Sequence, residues 1–247
     1  MLHKTRGIVF KTTDYGDSSI IAQIFTEKFG LQTYLVNGAK KPKAKIAKNM
    51  LQPLHLLDMV VYHKNNGNIQ RIRELKNLPQ LLHIPYDLVK SSIALFLNEV
   101  IYKAAKQQGA DEGLFSFLFS AIEWLDNESK GLANFHLVFM LKLTRFLGFY
   151  PDRPLNGDAD YFDLKNGIFS RFKPESILYL SPPHTQNFIK LLLSSFESLD
   201  EIKLSNEERR FLVQKILDYY AMHAEGFGNI KSHEVLEEIF NWRGCGF

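Results

Sequence analysis

Gly38-Ala39-Lys40-Lys41-Pro42-Lys43-Ala44-Lys45-Ile46-Ala47-Lys48-Asn49 falls between the third and fourth of five short extended segments, and that placement decides the fold. Before it come residues 6–13, 19–26 and 31–36, each rich in β-branched and aromatic side chains. After it, residues 54–63 and 69–75 read as two more strands. Turn chemistry separates them: Asp14-Tyr15-Gly16-Asp17-Ser18, then Glu27-Lys28-Phe29-Gly30, where Gly30 supplies a positive φ, and the hairpin signal Asn65-Asn66-Gly67-Asn68. Five strands with tight turns in so short a stretch imply a small closed barrel. The widest gap lies between strands three and four, where an oligonucleotide- and oligosaccharide-binding (OB) barrel carries its extra element. An SH3-like barrel is the rival topology.

The same stretch carries five lysines within nine positions, and no acidic residue occurs between Glu27 and Asp58. Lys40, Lys41, Lys43, Lys45 and Lys48 do not recur every three or four residues, so they form no polar stripe on a long helix. A charge run of this kind is commonly a solvated loop. Closely spaced cations can also displace counterions from phosphates and so bind a nucleic-acid backbone. Residues 1–80 hold 13 Lys/Arg against 5 Asp/Glu, whereas residues 81–247 hold 17 against 22. That asymmetry favours the second reading, with a basic front meeting a polyanion. Arg6, Lys11, Lys64, Arg71 and Arg73 add to the lysine arm if the barrel closes. Tyr15 and Tyr34 are candidate stacking surfaces for unpaired bases, although Tyr34 sits in an alternating strand and can equally face the core. No base-reading helix is present in this part, so sequence specificity is not expected.

Pro79 and Pro85 mark a boundary, which sets an OB-type domain at 1–79 and a helical domain at 80–247. Beyond it the apolar period becomes helical: Ile93, Phe96, Leu97, Val100, Ile101 and Ala104 share a face. Residues 114–125 and 132–147 follow, and the latter, with almost no polar side, should be the buried centre of its domain. Residues 152–172 break the pattern with a hairpin around Asn166-Gly167. Helices resume near 186–196, at 206–224 behind the capping box Ser205-Asn206-Glu207-Glu208, and from Ser232 through Phe240. The class is α+β: a five-stranded OB barrel, then an all-helical domain with a small β-hairpin insertion.

Covalent chemistry finds little support. There is no Gly-x-Ser-x-Gly elbow and no phosphate-binding Gly-x-x-x-x-Gly-Lys-Ser/Thr loop, and the single cysteine, Cys245, lies in a terminal Gly-Cys-Gly-Phe. One cysteine excludes an internal disulfide and any cysteine-based zinc site, and suits a reducing cytoplasm. No apolar run is long enough to span a bilayer. Asp158, Asp160 and Asp163 could hold a divalent ion, but the glycine and distal glutamate of a calcium loop are missing. His223 and His233 lack metal-pair spacing, and the glycines of Glu225-Gly-Phe-Gly-Asn229 read as a helix C-cap. No cofactor is expected, and the chain reads as a non-enzyme.

Several blocks resemble the RecO family of bacterial DNA repair and recombination mediators: Arg-Gly-Ile-Val-Phe-Lys at 6–11, Tyr-Gly-Asp-Ser-Ser at 15–19, Ile-Phe-Thr-Glu-Lys-Phe-Gly at 24–30 and Asn-Gly-Ala-Lys-Lys at 37–41. Phe-Leu-Gly-Phe-Tyr-Pro at 146–151, with His223, Gly226, Lys231 and Ser232, resembles the family's helical domain. The resemblance implies a mediator of the RecF pathway, cytoplasmic and associated with the nucleoid. Such a protein binds single- and double-stranded DNA, anneals complementary strands and engages RecR. It acts on strands coated by single-stranded DNA-binding protein so that RecA can load. It further implies that the acidic C-terminal tail of the coating protein docks in the helical domain beside basic side chains, for which Phe139, Lys142 and Arg145 are the counterparts here. Some relatives carry four zinc-binding cysteines after the central helix; residues 152–172 have none, so Tyr161, Phe162, Ile168 and Phe169 must hold the hairpin and zinc is not expected. The alternatives are an RNA-binding OB factor and a metal-dependent nuclease using Asp158, Asp160 and Asp163. With all five arm lysines engaged on a single strand, the log–log salt slope from the arm should be about −3.5.

Overall fold

The computed structural model describes residues 1–64, 69–106, 108–153 and 159–243, the side chains of residues 237 and 240–243 excepted. The expected turn at Asn65–Asn68, Asp158 and the Cys245 tail lie outside the described residues. Contacts divide the chain into two compact units, Met1–Asp87 with Ala105–Asn127, and Leu88–Ala104 with Glu128–Phe247.

In the first unit β1 (Leu2–Tyr15), β2 (Ser19–Thr26), β3 (Gly30–Val36), β4 (Leu56–Tyr62) and β5 (Gln70–Asn77) close a barrel in the order β1-β2-β3-β5-β4. β1 pairs with both β2 and β4, while β3 meets β5 in parallel through Tyr34–Gln70 and Leu35–Arg71. This is the OB topology, and it sets aside the SH3-like rival. Strand alternation fills the inside with Val9, Ile20, Ala22, Ile24, Tyr34, Val36, Leu57, Met59, Val61 and Leu75. Gly30 adopts φ +64, and a Cβ there would lie 2.7 Å from the Gly109 carbonyl carbon, so only glycine fits both the turn and the approach.

Ile8, Phe10 and Phe25 lie on the opposite side of the wall from Val9 and Ile24, yet are fully buried. The cause is α2 (Glu112–Asn127), whose Phe115 stacks on Phe25 at 6.2 Å. Although it follows the boundary expected near residue 79, α2 groups with the barrel by contact. Residues 78–87 are stapled to it: the buried Asp126 carboxylate accepts the backbone N–H groups of Leu82, His83 and Ile84 at 2.7–2.9 Å.

The second unit is built on α3 (Leu132–Leu147), ten of whose residues are buried. Around it pack α1 (Leu88–Ala104), α4 (His184–Leu193), α5 (Asn206–His223) and a 3-10 turn at Phe196–Glu201, and α6 (Ser232–Arg243) lies on α1. The expected hairpin is β6 (Tyr161–Asp163) with β7 (Ile168–Ser170), and β8 (Tyr179–Leu180), too short to signal itself, adds a third strand on the other side of β6. Phe162 does most of the holding, 4.6 Å from both Phe169 and Phe188; Ile168, expected in that packing, is exposed instead. The capping box at α5 is half formed. Ser205 Oγ accepts the Glu208 N–H, but the Glu208 carboxylate is drawn away to His184 Nδ1 and Asn187 Nδ2.

Candidate nucleic-acid interface

The lysine stretch is a closed loop rather than a trailing arm. Ala39, Ile46 and Leu51 drop into the barrel core, and the Lys48 N–H donates to the Ala39 carbonyl to close the loop. Those three apolar residues plug one end of the barrel, which turns the lysines between them outward. Lys40 and Lys48 act as anchors: Lys48 Nζ donates to Asp14 Oδ1 at 2.7 Å, and Lys40 Nζ reaches Asp14 Oδ2 at 3.7 Å and the Gly16 carbonyl at 2.9 Å. The hydrogen bond from Lys48, with the charge of Lys40, holds the Asp14 carboxyl below its ordinary range. Lys41, Lys43 and Lys45 are exposed, and among the described residues they make no ion pair. Lys43 sits at φ +60, a left-handed conformation uncommon for lysine, so the loop geometry overrides local preference there.

The remaining predicted residues divide. Arg71 and Lys64 are exposed and without an acidic partner among the described residues, whereas Arg73 pairs with its neighbour Glu74 at 3.5 Å and Lys11 is exposed on β1. Arg6 is committed to the fold. Its guanidinium donates twice to the Glu27 carboxylate, at 3.1 and 2.6 Å, and lies over the rings of Phe115 and Phe119, clamping β1 to α2. Tyr34 corrects the sequence reading outright: it is wholly buried in the barrel core, its hydroxyl pushed up by burial, and no base can reach its ring. Tyr15, by contrast, is exposed at the end of β1 beside the Asp14 anchor. Tyr62 went unread in the sequence, although Val61 and Met59 pointing inward place it outward by alternation; it is 46% exposed beside Arg71, its partner across β5.

In the helical unit Phe139 is 1% exposed inside the core, so it presents no surface to a partner, and its expected role falls. Lys142 is half-buried and Arg145 exposed, its guanidinium 4.7 Å over the Tyr150 ring. Burial, with the charge of Arg145, pushes the Lys142 ammonium down, opposed by Glu197. Of the acidic cluster, Asp158 lies outside the described residues and Asp160 is exposed. Asp163 is buried and spends both oxygens on its own turn, accepting Lys165 N–H, Asn166 N–H and Asn166 Nδ2. Among the described residues no three His, Cys, Asp or Glu side chains gather to hold an ion, and no helix is long and apolar enough to cross a membrane.

A closed OB barrel carrying a cationic loop, joined in sequence to an α3-centred helical unit, defines a class of two-part OB-barrel protein. Family models agree with that class and sharpen it. The one described as "Recombination protein O N terminal" matches residues 1–79, and "Recombination protein O C terminal" matches residues 85–233. The chain is 36% identical to the DNA repair protein RecO of Azobacteroides pseudotrichonymphae, across 98% of this chain and 100% of the relative. It is 37% identical to the protein of that name in Flavobacterium psychrophilum, across 96% and 99%, and 36% identical to that of Bacteroides fragilis, across 98% and 100%. The chain belongs to the recombination protein O family.

Proposed function

We propose that this protein acts in DNA repair and recombination as a non-enzymatic mediator in the bacterial cytoplasm, at the nucleoid. It binds single- and double-stranded DNA through the barrel wall and lysine loop, anneals complementary strands, and with RecR helps a recombinase load on strands coated by single-stranded DNA-binding protein. The observation that carries the reading is the loop itself: Lys41, Lys43 and Lys45 held outward on a plugged barrel end, with Asp14 the one acidic side chain bonded to the loop's lysines among the described residues. Charges fixed in this way neutralise phosphates without ordering a floppy segment, and so lower the repulsion that opposes the pairing of two strands. Lys142 and Arg145 supply the basic edge for the acidic tail of the coating protein. An RNA-binding role draws on the same charges, and competition with structured RNA separates the two.

Annealing of complementary oligonucleotides coated with the cognate single-stranded DNA-binding protein, full length or lacking its acidic tail, tests the proposal. Annealing should be accelerated on the full-length coat and fall back toward the spontaneous rate on the tailless one. No acceleration on naked or coated strands would remove the proposal.

A further inference from the structure

The register of the barrel sets one outward row across all five strands. Tyr62 on β4 is opposite Arg71 on β5, Arg71 opposite Leu35 on β3, Leu35 opposite Ile21 on β2, and Ile21 opposite Thr13 on β1. Every member is exposed or half-buried, while their neighbours Tyr34, Ile20 and Val61 fill the core. The row ends on β1 next to Asp14, the anchor of the lysine loop, so the loop borders that end of the row. At its other end Tyr62, Lys64, Ile69, Gln70 and Arg71 line an open depression of about 570 Å³. Tyr62 is 46% and Ile69 54% exposed, a large apolar surface for a barrel to leave in water.

The depression is braced. Gln70, 4% exposed, donates from Nε2 to the Lys64 carbonyl at 2.9 Å and accepts the Lys64 N–H at 3.1 Å, which fixes the chain where it leaves β4. A tyrosine ring paired across strands with a guanidinium, an isoleucine beside them and a second cation at the rim match one chemistry. A flat π face stacks on the ring and the guanidinium plane, and a flanking phosphate meets Lys64 or Arg71. A duplex hides its base faces within its own stack, so only an unpaired strand can use such a surface.

We infer that Tyr62, with Arg71 and Lys64, forms a base-stacking subsite for unpaired nucleotides, which favours single strands over duplex at the other end of the row from the lysine loop. The inference rests on the DNA-binding reading above. It divides the labour: the loop contributes a salt-dependent grip common to both forms, and stacking on the Tyr62 ring a salt-independent term for single strands.

The test measures binding of the full chain to oligothymidylate, to an abasic strand of equal length, and to a duplex, over a potassium chloride series, for wild type, Tyr62→Ala, Tyr62→Phe and Lys41/Lys43/Lys45→Ala. Tyr62→Ala should weaken oligothymidylate binding by about five- to a hundredfold with a parallel salt dependence, and change abasic and duplex binding by less than about twofold. Tyr62→Phe should stay near wild type. The unchanged duplex affinity shows that the Tyr62→Ala barrel is folded. If Tyr62→Ala binds oligothymidylate as well as wild type, or loses all three ligands alike, the platform is overturned, and a flattened salt slope in the lysine variant leaves the DNA reading standing. A wild type that binds none of the three overturns both.

Discussion

Tyr34 carries its hydroxyl into the barrel core without a hydrogen-bond partner among the described residues. Burying such a group unpaired costs about 1–3 kcal/mol, so Tyr34→Phe should raise unfolding stability by roughly 1 kcal/mol, read from the midpoint of a urea titration. The affinity for single strands should not move, since the ring never meets one; a weakened variant would contradict the core placement. The tyrosines also show what alternation can and cannot reveal. Gly30–Val36 carries apolar residues on both faces, Leu31 and Leu35 against Tyr34 and Val36, so period two alone leaves Tyr34 undecided. Leu56–Tyr62 offers a better contrast, with Leu57, Met59 and Val61 inward and Asp58 and Val60 between them. There alternation makes the outward direction of Tyr62 legible in the sequence. The counter-charge at Asp14 was not legible, because it depends on a contact made across more than thirty residues.

At the scale of elements, the strands and helices themselves were legible and their grouping was not. Ser19–Thr26 and Leu132–Leu147 are the ranges that periodicity and turn chemistry imply. The attachment of α2 to the barrel has no local signal, because a helix apolar on most sides does not declare which neighbour it covers. The Asp126 staple makes that attachment testable. Burial alone would raise its carboxyl, but the N–H groups of Ile84, Leu82 and His83, with the charge of His83, more than offset this and hold it below the ordinary aspartate range. A depressed carboxyl contributes stability that is complete above its unfolded value of about 3.9 and is lost as pH falls through the lower folded value. Asp126→Asn keeps the shape but loses the charge and turns an N–H₂ toward a donor, so it should cost about 2–3 kcal/mol at neutral pH. Its acid limb should also be shallower than that of wild type between pH 4 and 2. Equal acid limbs in urea titrations at stepped pH would show that the staple contributes nothing.

Over the whole chain the +3 charge conceals a basic first third and a mildly acidic remainder, and the structure decides how much of the basic part is free to act. Counting lysines in the sequence gives five contacts and a slope near −3.5. Two of those lysines are tied to Asp14, which leaves Lys41, Lys43 and Lys45 as the unencumbered cations of the loop. At about −0.7 per single-strand contact, Lys41/Lys43/Lys45→Ala should flatten the log–log salt slope by about 2 units. Adding Lys40→Ala and Lys48→Ala should flatten it by clearly less than their proportional share of about 1.4 units, because Asp14 rather than a phosphate already takes up their charge. The same two changes should loosen the loop, since they remove its ties to Asp14 and Gly16, and so lower the melting temperature where the triple variant does not. Titrations over a common salt range, paired with thermal melts, separate these outcomes. If each of the five lysines takes the same share of the slope and none affects melting, the loop is a simple charged tether, and the plugged, pre-ordered grip assigned to it is wrong.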